Sequence, residues 1–319
     1  MDSEISFKAL VSTDSSGKRL DQVAAKMFPD YSRARLQGWI KDGSLLVNNQ
    51  TLRPRDKVVE GDEIVVNAML KSVDSWVSEP LLLDIVYEDE TLLVINKPNS
   101  VVVHPAAGHR DGTLLNGLLH HCSQLELLPR AGIVHRLDKN TTGLMVVAKT
   151  LKAHTSLVQQ LQAREVSRIY EAVVNGVLTA GGTIDLPLGR HRVNRKKRAV
   201  VDDGQQAVTH YTVIKRFQAH THVQVKLETG RTHQIRVHFS HRRYPLVGDK
   251  TYGGRLQLYK GCSEDLATHL RGFSRQALHA RTLGLTHPES LEAMQFNAPL
   301  PDDMTNLIAA LEADKLWQQ

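Results

Sequence analysis

The sequence predicts an α+β protein in which a small N-terminal module precedes a large domain built on a mixed, mostly antiparallel sheet. Beyond residue 80, apolar strand patterns outnumber helical ones. Most neighbouring strands there are separated by short turns, as in antiparallel sheets. The first seventy residues instead carry two amphipathic helices followed by two short strands. We place the small domain at residues 1–75 and the large domain at residues 80–319, with a linker over residues 68–80.

Two predicted helices open the small domain. The apolar face of the first, in KRLDQVAAKMF, consists of Leu20, Val23, Ala24 and Met27. The apolar face of the second, in SRARLQGWIKD, consists of Leu36, Trp39 and Ile40. Ser32 is suited to cap the second helix, and Gly43 is suited to end it. Its basic residues Arg33, Arg35 and Lys41 are expected to lie away from the apolar face. The strands LLVN and EIVVN follow.

The large domain is predicted to combine many strands with a few helices. The strand LLVIN ends at Lys97-Pro98, because proline stops ladder pairing. Helices are predicted in GTLLNGLLHH and LKAHTSLVQQLQAR, and a third from about Thr232. A Thr-Thr-Gly turn at residues 141–143 leads into an apolar strand that we place at residues 144–148. Further strands are predicted in RIYEAVV, AVTHYTVI, THVQVKLE and LHARTLGL.

The composition excludes several classes of protein. The 319 residues are 41% hydrophobic and 23% charged, as in an ordinary globular protein. No stretch approaches the roughly 20 apolar residues that span a bilayer, and no signal peptide is visible. The two cysteines, Cys122 and Cys262, form no CxxC pair, which argues against structural zinc. We expect a soluble, cytoplasmic protein, with no membrane partner, that is monomeric.

Positive charge is concentrated in the middle of the chain. The net charge of the protein is +6, yet residues 131–250 hold twenty basic and eight acidic side chains, a net +12. A merely solvated basic surface is the simplest explanation for a mildly basic protein. Charge gathered in one segment is also what a face that binds a polyanion needs.

One carboxylate, Asp138, stands inside this basic segment, in HRLDKNTTGL. For an arbitrary aspartate in a loop, a turn or capping role is the better explanation. A carboxylate in a polyanion site repels phosphate, however, and that cost is understandable if the carboxylate does chemistry on the bound nucleic acid. A nearby arginine would keep it ionised and oriented. The helix in ETGRTHQIRVHFSH supplies candidates, with Ile235 toward the core and Arg236 on a neighbouring face.

Other kinds of site lack their signatures. The chain contains no GxxxxGK[ST] phosphate loop, no GxGxxG after a strand and no HExxH, and no GxSxG elbow accompanies a Ser–His–Asp order. The adjacent His120 and His121 would point to different faces. His233 and His238 are five residues apart, which fits one helical face poorly. We therefore expect no metal site and no bound cofactor.

The motifs around Asp138 resemble those of a known family. HRLDKNTTGL, RIYEA and GRTHQIRVH, in this order and spacing, are similar to the RluA family of RNA pseudouridine synthases, over about residues 80–301. YEDETLLVINKP, VVHPAAG, PRAGIVHRLDK, PLVGDKTYGG and QALHA extend the similarity. The first seventy residues resemble the alpha-L RNA-binding module of a ribosomal small-subunit protein. Thr142, where many relatives have Ser, and Asn49, where Gly usually follows Val-Asn, depart from the two patterns.

The resemblance implies roles for individual residues. Asp138 would be the catalytic aspartate, which attacks either the ribose carbon or the uracil ring, and Arg236 would pair with it. Tyr170 would stack on the target base, and Arg136 would help to hold the flipped-out nucleotide. Leu278 would line the base pocket. Simpler alternatives are a core position for Tyr170 and Leu278, and a surface loop position for Arg136.

The reaction of this family agrees with the candidate residues and with the missing cofactor motifs. Conversion of uridine to pseudouridine breaks the N1–C1′ bond, turns the uracil and joins C5 to C1′, so no redox, nucleotide or methyl-donor cofactor is needed. The resemblance implies uridines of large-subunit ribosomal RNA as substrate, in the stem-loop that bridges to the small subunit. We interpret GRHRVNRKKR as a mobile loop that binds RNA, with a nuclear-localisation-like run or a simply solvated loop as the alternatives. Its basic side chains are Arg190, Arg192, Arg195, Lys196, Lys197 and Arg198.

Two other functions stay open from the residues alone. The protein could be a non-catalytic RNA-binding factor in ribosome assembly, although a pure binder gains nothing from Asp138. A metal-dependent RNA hydrolase would need clustered carboxylates or histidines, and the sequence shows no such cluster. Binding to RNA through both domains is common to the first alternative and to the synthase.

Overall fold

The N-terminal module of the computed structural model contains a three-stranded antiparallel sheet and two helices. The structure describes residues 3–28, 31, 33–70, 76–105, 111–195 and 197–317. The elements of the module are β1 (Ser3–Leu10), α1 (Leu20–Met27), α2 (Arg33–Asp42), β2 (Leu45–Val47) and β3 (Glu63–Leu70). Strand β3 lies in the middle and pairs with β1 on one side and β2 on the other.

Both helices of the module form as their apolar spacing predicts. The apolar side chains that they bury in a common core with the sheet include Leu20, Val23, Ala24, Leu36, Trp39 and Ile40. Helix α2 is followed by Gly43, whose φ of +81° is a left-handed conformation that glycine adopts at little cost. The predicted cap, Ser32, lies outside the described residues. Strand β1 was not predicted, although Ile5 and Phe7 alternate with polar residues along it.

The predicted linker over residues 68–80 is wrong at both ends. Residues 68–70 belong to β3, where Ala68 pairs with Ile5 of β1. From residue 76 the chain already runs along the large domain. Asn116 donates from Nδ2 to the carbonyl of Val77 at 2.7 Å, and the N–H of Glu79 donates to the carbonyl of Asn116 at 3.2 Å. The apolar residues of the segment 68–80 show no clear periodicity, so the sequence did not reveal that its first residues pair with β1 and its last residues bond to Asn116.

A nine-stranded mixed sheet carries the large domain. The strands after β3 are β4 (Ile85–Glu88), β5 (Leu92–Lys97), β6 (Thr142–Ala148), β7 (Ser167–Asn175), β8 (Gly182–Asp185), β9 (Leu188–Arg190), β10 (Arg198–Val200), β11 (Val208–Arg216), β12 (His220–Leu227), β13 (Leu278–Thr286) and β14 (Ala293–Asn297). The order across the sheet is β4-β5-β6-β13-β7-β12-β11-β8, and β14 pairs with β13. Strands β9 and β10 form a separate two-stranded ribbon.

The pairing of β6 with β13 is parallel, while the other paired strands of this sheet are antiparallel. The predicted mixed, mostly antiparallel sheet is therefore confirmed. Gly143 of β6 has a φ of +113°, and a Cβ there would lie 2.3 Å from the carbonyl oxygen of Ala280, so only glycine allows this close approach. The predicted turn at residues 141–143 is wrong, because Thr142 already pairs with His279 and β6 begins there.

Helices cover both faces of the sheet. They are α3 (Leu114–His121), α4 (Leu151–Ala163), α5 (Gln234–His241), α6 (Glu264–Gly272) and α7 (Asp302–Trp317). Alternate residues of β6 enter different cores: Met145 packs with α3 and α5, and Val146 packs with α4. Among the described residues, no helix is long and apolar enough to cross a membrane.

Candidate active site

Asp138 lies on the loop that enters β6, and its surroundings hold that loop in place. The N–H of Thr141 donates to the carbonyl of Asp138 at 3.0 Å. The ammonium of Lys97 donates to the carbonyl of Lys139 at 3.0 Å, and Nε2 of Gln276 donates to Oγ1 of Thr141, also at 3.0 Å. The Asp138 side chain keeps 17% of its surface exposed. A fixed backbone therefore presents a carboxylate that solvent and ligands can reach.

Arg236 of α5 links this carboxylate to a second one. Its Nη1 donates to Oδ2 of Asp138 at 2.7 Å, across 98 residues of chain. Its Nε and Nη2 donate to the two carboxylate oxygens of Asp249, at 2.7 and 2.9 Å. The structure thus brings the two predicted residues into direct contact. Asp249, which the sequence did not single out, completes the group.

The charges of these three side chains support one another. Burial opposes the charged form of Arg236, but the hydrogen bonds and charges of Asp249 and Asp138 raise the pKa of its guanidinium above the ordinary value. Burial likewise opposes the charged form of Asp249, and Arg236 outweighs it and lowers the pKa of that carboxyl. Asp249 also accepts from the N–H groups of Thr251 and Tyr252, at 2.9 and 3.1 Å. One cation between two carboxylates leaves a net negative charge.

A histidine and a tyrosine join this site to the ribbon formed by β9 and β10. Nδ1 of His233, the residue that precedes α5, lies 2.8 Å from Oη of Tyr252, while its Nε2 lies 3.7 Å from Oδ1 of Asp138. Burial lowers the pKa of His233. The N–H of Arg198 donates to Oη of Tyr252 at 2.9 Å, and the Arg236 guanidinium lies 5.0 Å from the Tyr252 ring centroid. The predicted start of this helix at Thr232 is two residues early.

Tyr170, Leu278 and Arg136 line the cavity at Asp138. Tyr170 is 6% exposed and Leu278 is 4% exposed, while Arg136 is exposed. The cavity has a volume of about 50 Å³, and Tyr170 and Arg136 also border a neighbouring cleft of about 800 Å³. Burial raises the pKa of the Tyr170 phenol. Tyr170 and Leu278 therefore belong to the core and to the cavity wall at once, and their roles toward a base stay predictions.

Lys97 is a buried cation that the sequence did not single out. Its side chain is fully buried, and its ammonium donates to the carbonyls of Pro98, Val101 and Lys139 at 2.8, 3.1 and 3.0 Å. Burial lowers the pKa of Lys97 to about 7, against the opposing effect of the Asp138 charge. The sequence signal for a buried lysine was its position at the end of an apolar strand, immediately before Pro98.

The basic segment predicted as a mobile loop consists mainly of the loop that connects β9 to β10, since Arg190 ends β9 and Arg198 begins β10. The described residues 191–195 and 197 belong to neither strand, and the mobility of the loop stays a prediction. Leu188 of β9 is buried against Val237 of α5, with Val200 of β10 packed beside them. The ribbon consequently stands next to Arg236. Of the basic side chains of the segment 189–198, Arg190, Arg192 and Arg195 are exposed, Lys197 and Arg198 are partly buried, and Lys196 lies outside the described residues.

The small domain presents only part of its predicted basic face. Lys41 is exposed, but Arg35 is half-buried, and burial lowers the pKa of its guanidinium. Arg33 donates from Nη2 to the buried carboxylate of Asp21 at 2.6 Å. Burial opposes ionisation of Asp21, yet hydrogen bonds from Arg33, Gln37 and Arg19 lower the pKa of that carboxyl to about 2. Much of the charge of Arg33 is therefore compensated within the domain.

Across the part of the chain that the structure describes, no group of three or more histidine, cysteine, aspartate or glutamate side chains is arranged to hold a metal ion. The site instead consists of a carboxylate, its arginine, an aromatic wall and a basic cleft. On a mixed sheet preceded by a small module of two helices and a three-stranded sheet, these features are those of an RNA-modifying enzyme. The sequence model described as RNA pseudouridylate synthase matches residues 91–241, and the S4 domain model matches residues 18–64.

Similarity to individual proteins extends along the whole chain. The protein named ribosomal large subunit pseudouridine synthase D of Pseudomonas aeruginosa is 59% identical over 315 residues, which is 99% of this chain and 98% of that protein. Its namesake in Escherichia coli strain K12 is 51% identical over 315 residues, 98% of this chain and 97% of that one. This chain therefore belongs to the RNA pseudouridylate synthase family.

Two solved human structures share this fold over 72% and 74% of this chain. RNA pseudouridylate synthase domain containing 4 has a TM-score of 0.57 and 27% identity, covering 72% of this chain and 92% of that one. RNA pseudouridylate synthase domain containing 1 has a TM-score of 0.54 and 25% identity, covering 74% of this chain and 98% of that one. The resemblance to this family that the motifs predicted is confirmed.

Proposed function

We propose that this protein isomerises specific uridines of large-subunit ribosomal RNA to pseudouridine, with Asp138 as the catalytic carboxylate. The observation that carries the proposal is the 2.7 Å contact between Asp138 and Arg236, at a cavity walled by Tyr170. The names of the full-length relatives support this substrate, since both are described as large-subunit pseudouridine synthases. The stem-loop that bridges to the small subunit is the expected location of the target uridines.

The two oxygens of Asp138 have different surroundings, which suggests how the carboxylate acts. Oδ2 accepts from Arg236 at 2.7 Å, whereas Oδ1 lies 3.7 Å from Nε2 of His233, beyond ordinary hydrogen-bond range. Oδ1 is therefore the oxygen available to attack C1′ of the ribose or the uracil ring. The N1–C1′ bond breaks, the base turns, and C5 bonds to C1′; the bond that Oδ1 formed also breaks, which restores the free carboxylate. C5 then loses its proton and N1 gains one, so that the product is an isomer.

The target base must leave its stack before the carboxylate can reach it. Unstacking costs a few kcal/mol, which an aromatic wall and an inserted cation can offset. Tyr170 would supply the stacking surface, Leu278 the opposite wall, and Arg136 the cation at the cavity mouth. At about 50 Å³ the cavity is small beside the neighbouring cleft of about 800 Å³, and the exposed Arg136 borders both. We therefore expect Arg136 to move when the base enters.

The remaining contacts with RNA would come from outside the cavity. We place the catalytic domain at residues 80–319 and the RNA-binding domain at residues 1–75. The proposed contacts are the basic residues of the segment 189–198, which are Arg190, Arg192, Arg195, Lys196, Lys197 and Arg198, and the α2 residues Arg33, Arg35 and Lys41. A cytoplasmic monomer that acts on ribosomal RNA, free or in a pre-ribosomal particle, fits this proposal.

A non-catalytic RNA-binding factor in ribosome assembly is the alternative. It would use the same basic surfaces, but it would have no use for a carboxylate that repels phosphate. A metal-dependent hydrolase would lose activity in EDTA, while the proposed isomerisation would not.

Mapping of pseudouridine in ribosomal RNA tests the proposed function directly. RNA from a strain that lacks this protein should lose pseudouridine at a few large-subunit positions. A plasmid that carries the wild-type gene should restore them, and one that carries Asp138→Asn should not. An unchanged map, or full restoration by Asp138→Asn at normal protein levels, would contradict the proposal.

A further inference from the structure

Arg168 of β7 is a buried cation without a carboxylate partner among the residues that the structure describes. Its residue surface is 8% exposed. The hydrogen bond found for its guanidinium runs from Nη2 to the carbonyl of Glu228, at a long 3.4 Å, and its buried Nε has no acceptor. Burying a charge without a partner destabilises a folded protein, so an unpaired arginine is expected to meet an anion that the isolated chain lacks.

The neighbours of Arg168 do not supply that anion. The Glu228 carboxylate is engaged elsewhere, by Arg164 at 3.0 Å and His210 at 2.6 Å. His135 lies within electrostatic reach, and burial together with the Arg168 charge lowers the pKa of His135 to about 3, so it is neutral. Gly230 leaves the space that the guanidinium fills, since a Cβ there would lie 2.4 Å from Nη1 of Arg168.

Arg168 lines the 800 Å³ cleft beside the Asp138 cavity. The arginines that line this cleft are Arg130, Arg136, Arg164, Arg168 and Arg231, and the acidic residue among the lining side chains is Glu228. Arg168 and Tyr170 alternate with more exposed neighbours, so they share one face of β7. Two residues along a strand span roughly 7 Å. That separation is comparable to one nucleotide step of an extended RNA strand.

We propose that Arg168 binds the RNA backbone phosphate next to the nucleotide whose base lies on Tyr170. The inference rests on the proposed function, because it takes Tyr170 as the base platform. The phosphate would supply the negative charge that no described carboxylate provides for the guanidinium of Arg168. Binding to Arg168 would hold the RNA strand at the phosphate next to the target nucleotide, while Asp138 acts on the target nucleotide itself.

Substitution of Arg168 by methionine separates this role from a structural one. Arg168→Met removes the charge and keeps most of the side-chain length. RNA affinity should fall roughly ten- to hundredfold, as for loss of a hydrogen bond to a charged group. The slope of log affinity against log salt should become shallower by about 0.7, the value for one single-strand phosphate contact. The melting temperature should stay or rise, because a buried unpaired charge is gone.

Neutral phosphate analogues identify the contact. Methylphosphonate is placed at one position at a time around the target uridine of an RNA that the wild-type enzyme modifies. One adjacent position should weaken wild-type binding and leave binding by Arg168→Met unchanged, because the contact is already absent. Gly230→Ala, which displaces Nη1 without removing charge, should bind the unmodified RNA more weakly than wild type and should lose less affinity than wild type when methylphosphonate stands at that position.

Controls keep the inference separate from the proposed function. Arg271→Met removes the same charge from α6, where Arg271 pairs with Glu264 at 2.7 Å outside this cleft, and should leave RNA affinity nearly unchanged. If wild-type protein modifies no ribosomal RNA, the proposed function fails. If wild-type protein is active but Arg168→Met binds normally, melts lower, or shows no coupled methylphosphonate position, the inference about Arg168 is overturned.

Discussion

Asp249 holds the guanidinium of Arg236 by two hydrogen bonds, at 2.7 and 2.9 Å, and both side chains are almost entirely buried. Two parallel hydrogen bonds fix the plane of a guanidinium as well as its position. The third hydrogen bond, from Nη1 to Asp138, is then directed before any RNA arrives. Asp249 thus orients the carboxylate of Asp138, the proposed catalytic group, without touching it.

Replacement of Asp249 by asparagine should disturb both stability and turnover. Removing one partner of a buried ion pair typically destabilises a protein by about 3 kcal/mol or more. Arg236 would keep Asp138 as its remaining anionic partner, so part of that loss should be spared. The rate at saturating RNA should fall, because Arg236 loses its fixed orientation. Urea unfolding and single-turnover kinetics check the two effects, and a variant with wild-type stability would contradict the role of the pair.

Replacement of Asp138 by asparagine should abolish the reaction and spare binding. Asp138→Asn keeps the shape and removes the charge, so pseudouridine should become undetectable in single-turnover assays. RNA affinity should hold or improve slightly, because a charge that repels phosphate is gone. The melting temperature should change little or fall modestly, since Arg236 keeps Asp249.

The same preparation should be used for turnover, RNA affinity and melting. A capping role for Asp138 would give the opposite pattern, with clear destabilisation and residual activity that tracks the folded fraction. Mass spectrometry must exclude deamidation of the asparagine back to aspartate. Appreciable turnover by a well-folded Asp138→Asn protein would refute its role as nucleophile.

Lys97 should make stability depend on pH in the alkaline range. Its pKa is about 7 in the folded protein and about 10.4 in an unfolded chain, so the unfolded chain binds more protons between these values. Stability should therefore rise with pH across this window. Compared with Lys97→Met, the wild-type protein should gain roughly 2–3 kcal/mol between pH 6.5 and 9. If the free energies of unfolding of the two proteins changed with pH in parallel, folding would not lower the pKa of Lys97, and this prediction would be wrong.

The basic segment of residues 189–198 should contribute to the salt dependence of RNA binding. Binding that releases counterions weakens log-linearly with salt, by about 0.7 per single-strand phosphate contact. Neutralising Arg195, Lys196, Lys197 and Arg198 together should reduce the slope by up to about 3. Because Arg198 reaches Tyr252 through its backbone N–H, the contact beside the active site should survive the substitutions. An unchanged slope would mean that these side chains do not touch the RNA backbone.

Removal of residues 1–75 should leave an active catalytic domain. The cut keeps Val77 and Glu79, which hydrogen-bond to Asn116 of α3. The shortened protein should fold and modify a short RNA at high concentration. Its activity on a structured ribosomal RNA fragment should fall, because contacts from the small domain are lost. An unfolded product would show that the domain boundary is misplaced.

Apolar spacing predicted individual helices, and sequence motifs predicted residues of the candidate site. The apolar spacing in KRLDQVAAKMF predicted α1, and the resemblance of HQIRVH to the family motif predicted that Arg236 pairs with Asp138. Lys97, Asp249 and Arg168 were missed, because charged residues are expected at the surface and their burial depends on distant segments. Arg33 shows the converse, since its partner Asp21 lies on another helix.

The sheet order has a consequence for the time at which the active site forms. Strand β13 lies between β6 and β7, although it follows them by more than a hundred residues. During synthesis the strand with Asp138 at its entrance and the strand with Tyr170 therefore have no common neighbour until residues 278–286 have left the ribosome. Long-range pairing of this kind closes late in folding. A nascent chain should consequently be inactive until it is almost complete, and truncation within β13 should abolish the site even though Asp138, Tyr170 and Arg236 are all present.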